Sequence, residues 1–361
     1  MSPISFIVGI FAFLAAALPV PQLGEIVTFK NWAVGCDNGG NCEAVSLVPD
    51  IGEAGYEGWD GPMSIVRTAG SDDIFKIRLL FGAKEMDRYR MFVDGELVDT
   101  GPIVEGDRPV EIVGEDAKKV AEAIIAGKLL VVQGPAGENI TRISLAGSSA
   151  ALRYIDEKQN RAGTDTALVA RGNKPFEPLS TAIPMITVDQ WEPATLAPDA
   201  SALVALVEGS KCKDDRYGLV EDQAYPLGKR GDRYRALVLI SCGSGAYNFS
   251  SAPYIGEYQE DSSEGWTFTP AKFDRQPRWG GEGSQPLLVN AGWDEQDQTL
   301  GSFGKGRGLG DCGSAENYVW DGERFRMIDA SAMDECRGAY EWITIWRADY
   351  RKLDEAGPQA D

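Results

Sequence analysis

Six cysteines constrain this chain most, because Cys36, Cys42, Cys212, Cys242, Cys312 and Cys336 all follow a leader that reads as an export signal. Residues 1 to 24 carry no charged side chain. Ile4 to Ala17 is an apolar run ending in Ala15-Ala16-Ala17, a small-residue cleavage pattern, ahead of Leu18-Pro19-Val20-Pro21. A membrane-spanning helix needs about 20 apolar residues, and prolines stop this run short. No stable span is expected once the signal is removed, and no cysteine follows the run to carry a lipid. The expected location is the periplasm of a Gram-negative bacterium, or the cell exterior. There, an even number of cysteines implies disulfides. Cys36 and Cys42 bracket the turn-rich Asp37-Asn38-Gly39-Gly40-Asn41 and are expected to bridge. The other four lie after residue 200 and pair most simply as neighbours, Cys212–Cys242 and Cys312–Cys336.

The chain contains no histidine, which excludes the usual Ser-His-Asp and Cys-His catalytic sets, His-ligated zinc and imidazole acid-base chemistry. Oxidised cysteines leave no thiolate as nucleophile or metal ligand. Any chemistry falls to Asp, Glu, Lys, Arg, Tyr, Ser or a bound cation. The net charge of −20 argues against nucleic acid and anionic membrane as partners, since both need a basic footprint.

The length favours two domains. From 25 to 170, alternation dominates. Trp32, Val34 and Cys36 share one strand face; Phe75, Ile77, Leu79 and Phe81 alternate with Lys76 and Arg78; and two short strands meet across Asp94-Gly95. The period then changes. Ala117, Val120, Ala121 and Ile124 recur at helical spacing, with Asp116 placed to cap. A buried strand over Lys128 to Val132 and another over Ile140 to Leu145 follow. A second helix carries Ala151, Leu152 and Ile155 on its apolar side, Ser148 or Ser149 as cap, and an Arg153–Glu157 pair. Asp156, Gln159 and Arg161 read as a solvated polar face. Prolines 175, 178, 184, 193 and 198 mark 171–200 as a linker.

The second domain, 201–352, reads as nearly all β. Tyr234, Ala236, Val238, Ile240 and Cys242 share one strand face, and Leu237 and Leu239 make the opposite face apolar too, so this strand is central. Tyr340, Trp342 and Trp346 alternate with Ile343 and Ile345, a pattern of core more than of ligand platform. Residues 353–361 read as a disordered tail. The whole is expected to be a disulfide-stapled, β-rich α+β protein, with an N-terminal sandwich-like domain bearing two helices.

The densest chemistry lies in Thr299 to Phe325. Lys305-Gly306-Arg307-Gly308-Leu309-Gly310-Asp311-Cys312-Gly313 alternates glycine with functional side chains, the mark of a shaped loop. A P-loop is excluded, because Asp-Cys-Gly stands where Gly-Lys-Ser/Thr is needed. Asp321-Gly322 between two apolar runs signals a hairpin. A second glycine turn, Gly243 to Asn248, adjoins Cys242. Arg307, Asp311, Trp320 and Tyr247 are the candidate interaction residues.

Trp32 to Asn38, the Ala150 to Gln159 helix, and Gly306 to Gly313 followed by Trp320-Asp321-Gly322 together resemble the exported bacterial family known as domain of unknown function 1176, over nearly the whole mature chain. The first domain is more loosely similar to the invasion-associated locus B proteins, through its early Trp and Cys strand and the Ser144 to Gly147 segment that leads into a helix. Both resemblances imply an exported β-rich protein. Neither carries over a catalytic residue.

Three functions fit these residues. The favoured one is a non-enzymatic binding or structural module of the cell envelope, recognising a protein or a glycan, in which Arg307 and Asp311 pair to hold the loop. The second is a hydrolase of envelope polysaccharide using Asp311 with Asp294 or Glu295, since glycosidases work with two facing carboxylates and need no histidine. The third is a structural Ca²⁺ held by Asp294-Glu295-Gln296-Asp297 or Asp214-Asp215, whose carboxylates offer oxygen ligands. Partner and oligomeric state are not encoded in any of these patterns.

Overall fold

The structure, a computed structural model, describes residues 20–49, 62–71, 74–80, 88–102, 110–189, 191–216, 220–279 and 285–353. The leader over residues 1–19, Phe81, and the tail from residue 354 lie outside them. Residues of the first half form β1 (Ile26–Phe29), β2 (Trp32–Cys36), β3 (Cys42–Ser46), β4 (Met63–Arg67), β5 (Phe75–Leu79), β6 (Arg88–Val93), β7 (Glu96–Pro102), β8 (Val110–Val113), α1 (Gly114–Ala126), β9 (Leu129–Gln133), β10 (Asn139–Ser144) and α2 (Ser148–Lys158). Strands β1-β2-β3-β4-β5-β8 make one antiparallel sheet, and β10-β9-β6-β7 a second. The Asp94-Gly95 turn joins β6 to β7 with both residues at positive φ.

One core fills the space between these elements. Trp32, Val34, Ile65, Phe75 and Ile77 of the first sheet meet Met91, Leu130 and Val132 of the second and the apolar stripes of both helices, Ala117 to Ile124 and Ala151 to Ile155. Burying one such large side chain contributes about 1.5–3 kcal/mol, more than a typical cap. The apolar period therefore sets where the helices lie, and neither uses the cap that its sequence offers. Asp116 sits inside the first turn of α1. Ser148 is the first residue of α2, and its hydroxyl reaches the carbonyls of Ile124 and Leu145, both at 2.9 Å, so it ties the two helices together.

The expected solvated face of α2 is instead buried. Asp156, Gln159 and Arg161 are each at most 1 % exposed. Asp156 binds Arg67 Nη1 at 3.0 Å and accepts from the backbone N–H groups of Leu168, Val169 and Ala170. Gln159 donates to the carbonyls of Gly40 and Arg67, and Arg161 to the carbonyl of Gly70, with its guanidinium over the Phe176 ring. This network fastens the 161–176 loop and the end of α2 to the β2–β3 turn and to β4 with the residues that follow it. On the outer side of the same helix, Arg153 and Glu157 do pair at 3.4 Å.

Beyond it come β11 (Met185–Asp189), α3 (Ala200–Gly209), β12 (Gln223–Arg230), β13 (Arg233–Ser244), β14 (Phe249–Gln259), β15 (Thr267–Pro270), β16 (Leu288–Val289), β17 (Gly292–Asp294), β18 (Thr299–Lys305), β19 (Gly313–Trp320), β20 (Phe325–Met333), β21 (Ile343–Arg347) and β22 (Asp349–Leu353). Two antiparallel sheets result, β12-β13-β14-β15 with β16 attached to β14, and β17-β18-β19-β20-β21. The proline-rich stretch is not featureless: β11 pairs in parallel with β22. Helix α3, unforeseen in the sequence pattern, is capped by Asp199, whose carboxylate accepts from Ala202 N at 2.9 Å.

Strand β13 is central, and its two apolar faces serve two clusters. Val238 and Ile240 pack with Val207 of α3 and Cys212, while Leu237 and Leu239 join the larger cluster under the five-stranded sheet. That larger cluster crosses between the halves of the chain. Ala33, Val45 and Leu47, on the back of the six-stranded sheet, lie in it with Ile343 and Ile345 of β21. The first sheet is thus covered on both faces near β2 and β3. All six cysteines are bridged, as Cys36–Cys42, Cys212–Cys242 and Cys312–Cys336.

Candidate functional site

The glycine-rich loop closes the β18–β19 hairpin. Gly306 N donates to Cys312 O at 2.8 Å, and Gly310 N to Arg307 O at 3.0 Å, so the loop is a turn within a turn. Inside it Arg307 clamps Asp311 with two bonds, Nε to Oδ1 at 2.7 Å and Nη2 to Oδ2. Asp311 is fully buried and also accepts from Gly338 N at 2.7 Å. The Arg307 guanidinium holds the Asp311 carboxyl below the usual carboxylate range, against the opposing effect of burial. Cys312–Cys336 then locks the loop to the segment that begins at Cys336.

Tyr247 belongs to this end of the sheet. Its hydroxyl donates to Gly306 O at 3.4 Å, and the side chain is 37 % exposed. Asn248 and Asn290 fix the second glycine turn there: Asn248 bonds both the N–H and the C=O of Lys305, and Asn290 donates to Phe303 O. Trp320 does not join them. It stands at the far end of β19, eight residues long and so about 25 Å from end to end, packed edge-on against Phe325 with ring centroids 5.0 Å apart. Arg307, Asp311 and Tyr247 form one locus; Trp320 is a core aromatic of another.

Beside the loop lies a surface that the alternation of apolar residues did not single out. Phe303, 40 % exposed, stacks nearly parallel on Trp342, with centroids 4.8 Å apart and planes 7° apart. The Lys305 ammonium lies 6.0 Å from the Phe303 ring. Cross-strand pairing puts Phe303, Ala315, Ser331 and Thr344 in one row, and Gly301, Asn317, Asp329 and Arg347 in the next, all on one face of the sheet. Asn317 is exposed and hydrogen-bonded to Asp329, whose carboxyl burial pushes up. Arg347 Nε donates to Asp37 Oδ2 at 2.6 Å, beside the Cys36–Cys42 loop. Farther along this face, Val319 and Ile328 are covered by Ile186 and Val188 of β11. What stays open is a shallow strip, aromatic at the loop end and polar across its middle. On the opposite face Trp279 donates to Ser314 Oγ at 2.8 Å and packs against Gly304, where an added Cβ would meet its Nε1 at 2.3 Å.

The other sequence candidates separate. Asp294 sits in the β17–β18 turn, its Oδ1 accepting from Gln296 N and Asp297 N at 2.9 Å. It stands at the Thr299 end of β18 and Asp311 beyond the Lys305 end, so the two carboxylates do not face one another. Among the described residues no three His, Cys, Asp or Glu side chains cluster as metal ligands. Two clefts border the N-terminal segment. One, about 300 Å³, is lined by Glu25, Arg275, Arg278, Glu316 and Asp334; burial raises the Glu316 carboxyl, which accepts from Arg278 N and from the Tyr318 hydroxyl. The other, about 480 Å³, holds Glu25, Asn38, Tyr154 and Lys158 beside Cys36.

Comparison with known proteins finds a relative that aligns with nearly the whole chain. An uncharacterised protein of Escherichia coli K12, YpfG, is 26 % identical over 365 aligned positions, which cover 94 % of this chain and 98 % of that one. No solved structure matches. No helix among the described residues is long and apolar enough to cross a membrane, and three closed disulfides point to a compartment outside the reducing cytoplasm. The description "Protein of unknown function (DUF1176)" matches residues 27–349, and the chain belongs to that family.

Proposed function

We propose that this chain is a non-enzymatic binding module of the periplasm, and that its ligand is an envelope glycan laid along the open strip of the five-stranded sheet. The observation that carries the reading is the exposed Phe303 ring stacked on Trp342 at the head of a polar row. The exposed part of the ring offers an apolar surface, and such a surface matches the C–H face of a sugar ring. Asn317, Asp329 and Arg347 supply donors and acceptors for hydroxyl groups. The small residues between, Ala315, Ser331 and Thr344, keep the strip shallow enough for an extended chain. Arg307 and Asp311 shape the end of the strip and are not themselves reactive. The looser likeness to locus B proteins adds no ligand to this reading.

The test is cosedimentation of the purified, oxidised protein with protein-free peptidoglycan. Wild type should be retained, and Phe303→Ala should bind at least tenfold more weakly with an unchanged melting temperature. Retention that ignores Phe303→Ala, or no retention at all, removes the proposal; capture of a protein from envelope extract by the same strip would replace the glycan by a protein partner. One observation favours a second reading, carboxylate-based glycan hydrolysis: Glu316 is a buried, raised carboxyl in the same cleft as Asp334. Release of new reducing ends that stops in Glu316→Gln would establish it.

A further inference from the structure

Two halves of the chain meet at Glu43. Strand β3 places this residue on the back of the six-stranded sheet, in line with Val45 and Leu47, where residues 338–342 arrive before β21. Ser64 of β4 shares the face, and its Oγ donates to Glu341 Oε2 at 2.6 Å while also hydrogen-bonding the Glu43 carboxyl. The residue paired with Glu43 on β2 is Gly35, which brings no charge. From β5, Arg78 faces the cluster, but its guanidinium is bound to Glu111 of β8 at 3.2 Å, and Lys76 binds the same carboxylate at 3.3 Å. Glu43 Oε1 is sealed from solvent and has no hydrogen-bond partner.

A serine hydroxyl has one proton to give. Between two carboxylates it satisfies only one, and here that one is Glu341. Glu43 completes the chain by bringing a proton of its own, donated to the lone pair left on Ser64 Oγ. Without that proton, two carboxylates share one hydroxyl, one of them with an oxygen sealed from solvent, and they repel. Burial first, and then the neighbouring Glu341 charge, push Glu43 up to about 7, against Arg78 and against the Ser64 hydroxyl, which favours the Glu43 carboxylate only when its proton turns there instead of to Glu341.

We propose that Glu43, Ser64 and Glu341 form a proton-held latch that fastens residues 339–342 to the six-stranded sheet. One proton is taken up from solvent on closing and returned on opening, and no other reactant is involved. The ends of the segment stay fixed, at Gly338 by Asp311 and at Ile343 by β21. Movement is therefore confined to the stretch that carries Trp342, the ring under Phe303. The latch thereby sets the shape of the aromatic strip according to pH. Its effect on a ligand rests on the glycan reading; the latch itself does not.

Hydrogen exchange of the oxidised, ligand-free protein at pH 5.5 and 8.5, corrected for intrinsic rates, tests the latch in wild type, Glu43→Gln and Ser64→Ala. Wild-type amides over 339–342 should lose about tenfold or more of their protection at pH 8.5. Glu43→Gln brings an N–H to Ser64 at every pH and should stay protected at both; Ser64→Ala should be weakly protected at both. Wild-type protection that does not change with pH, or a Glu43→Gln variant that opens like wild type, overturns the proposal. Should Glu43→Gln not fold, Glu341→Gln removes the same repulsion and must likewise stay protected. Peptidoglycan cosedimentation at the two pH values runs beside it. Binding that varies with pH in wild type but not in Glu43→Gln supports the coupling, pH-independent binding removes it, and no binding at either pH sinks the glycan reading while exchange still judges the latch.

Discussion

Asp156→Asn should unfold the first half of the chain well before wild type. The native carboxylate takes four bonds in a fully buried site: Arg67 Nη1 at 3.0 Å and Leu168 N at 2.9 Å on Oδ1, Val169 N at 2.8 Å and Ala170 N at 3.2 Å on Oδ2. Asparagine keeps one acceptor oxygen and turns an NH₂ toward backbone N–H groups that need an acceptor. It also takes the Asp156 counter-charge away from the Arg67 cation, 1 % exposed. Breaking a buried pair from one side costs about 3–5 kcal/mol, which for a chain of this size lowers the melting temperature by roughly 10 °C. Calorimetry, with hydrogen exchange over 148–176 to localise the loss, is the assay. Arg153→Ala on the outer side of the same helix is the control; its partner Glu157 is exposed, and the cost should stay within about 0.5 kcal/mol. A loss below about 1 kcal/mol for Asp156→Asn, the worth of a surface pair, would refute the reasoning that α2 is fixed by a buried charge.

Three further outcomes are expected. Glu43 is raised from 4.5 to about 7, so the folded state keeps a proton that the unfolded state releases. Its contribution is complete below pH 4.5 and is lost as pH rises through 7, and Glu43→Gln should therefore stabilise the protein at pH 8, by up to about 3 kcal/mol, in urea titrations that show no gain at pH 4.5. Replacing Cys312 and Cys336 together by serine opens a loop with a sequence separation of 24, and chain entropy puts the loss near 3.5 kcal/mol; a melting temperature unchanged in oxidising buffer would contradict this. Arg307→Ala leaves Asp311 buried with backbone N–H donors, such as that of Gly338, in place of a counter-charge, and should cost about 2 kcal/mol, discounted because Arg307 is half exposed. Asp311 is lowered, so its contribution is present above the ordinary carboxylate range and is lost as pH falls below that range through its lowered folded value. Acid titration should accordingly bring the wild type toward the variant, and a gap that stays constant down to pH 2 would argue against the pair.

The sequence by itself determined the local elements and the staples. Alternation at Trp32 to Cys36, Phe75 to Leu79 and Tyr234 to Cys242, the Asp94-Gly95 turn, and helical spacing from Ala117 and from Ala151 each specify a backbone state through sterics acting over a few residues. The disulfides were legible for a related reason, since each joins strands or turns close in the chain. The Asp321-Gly322 hairpin was legible as a hairpin, though its loop runs over four residues, with Trp320 opposite Phe325. Only tertiary structure decided which polar residues are buried. Asp156 reads as solvated until Arg67, 89 positions away, arrives beside it; Glu43 is an ordinary strand glutamate until Glu341 is laid over it; and Phe303 meets Trp342 only because β18 and the approach to β21 share one face. A polar side chain carries no periodic signature of its partner. Its burial is settled by how whole sheets pack, which no short window of sequence contains.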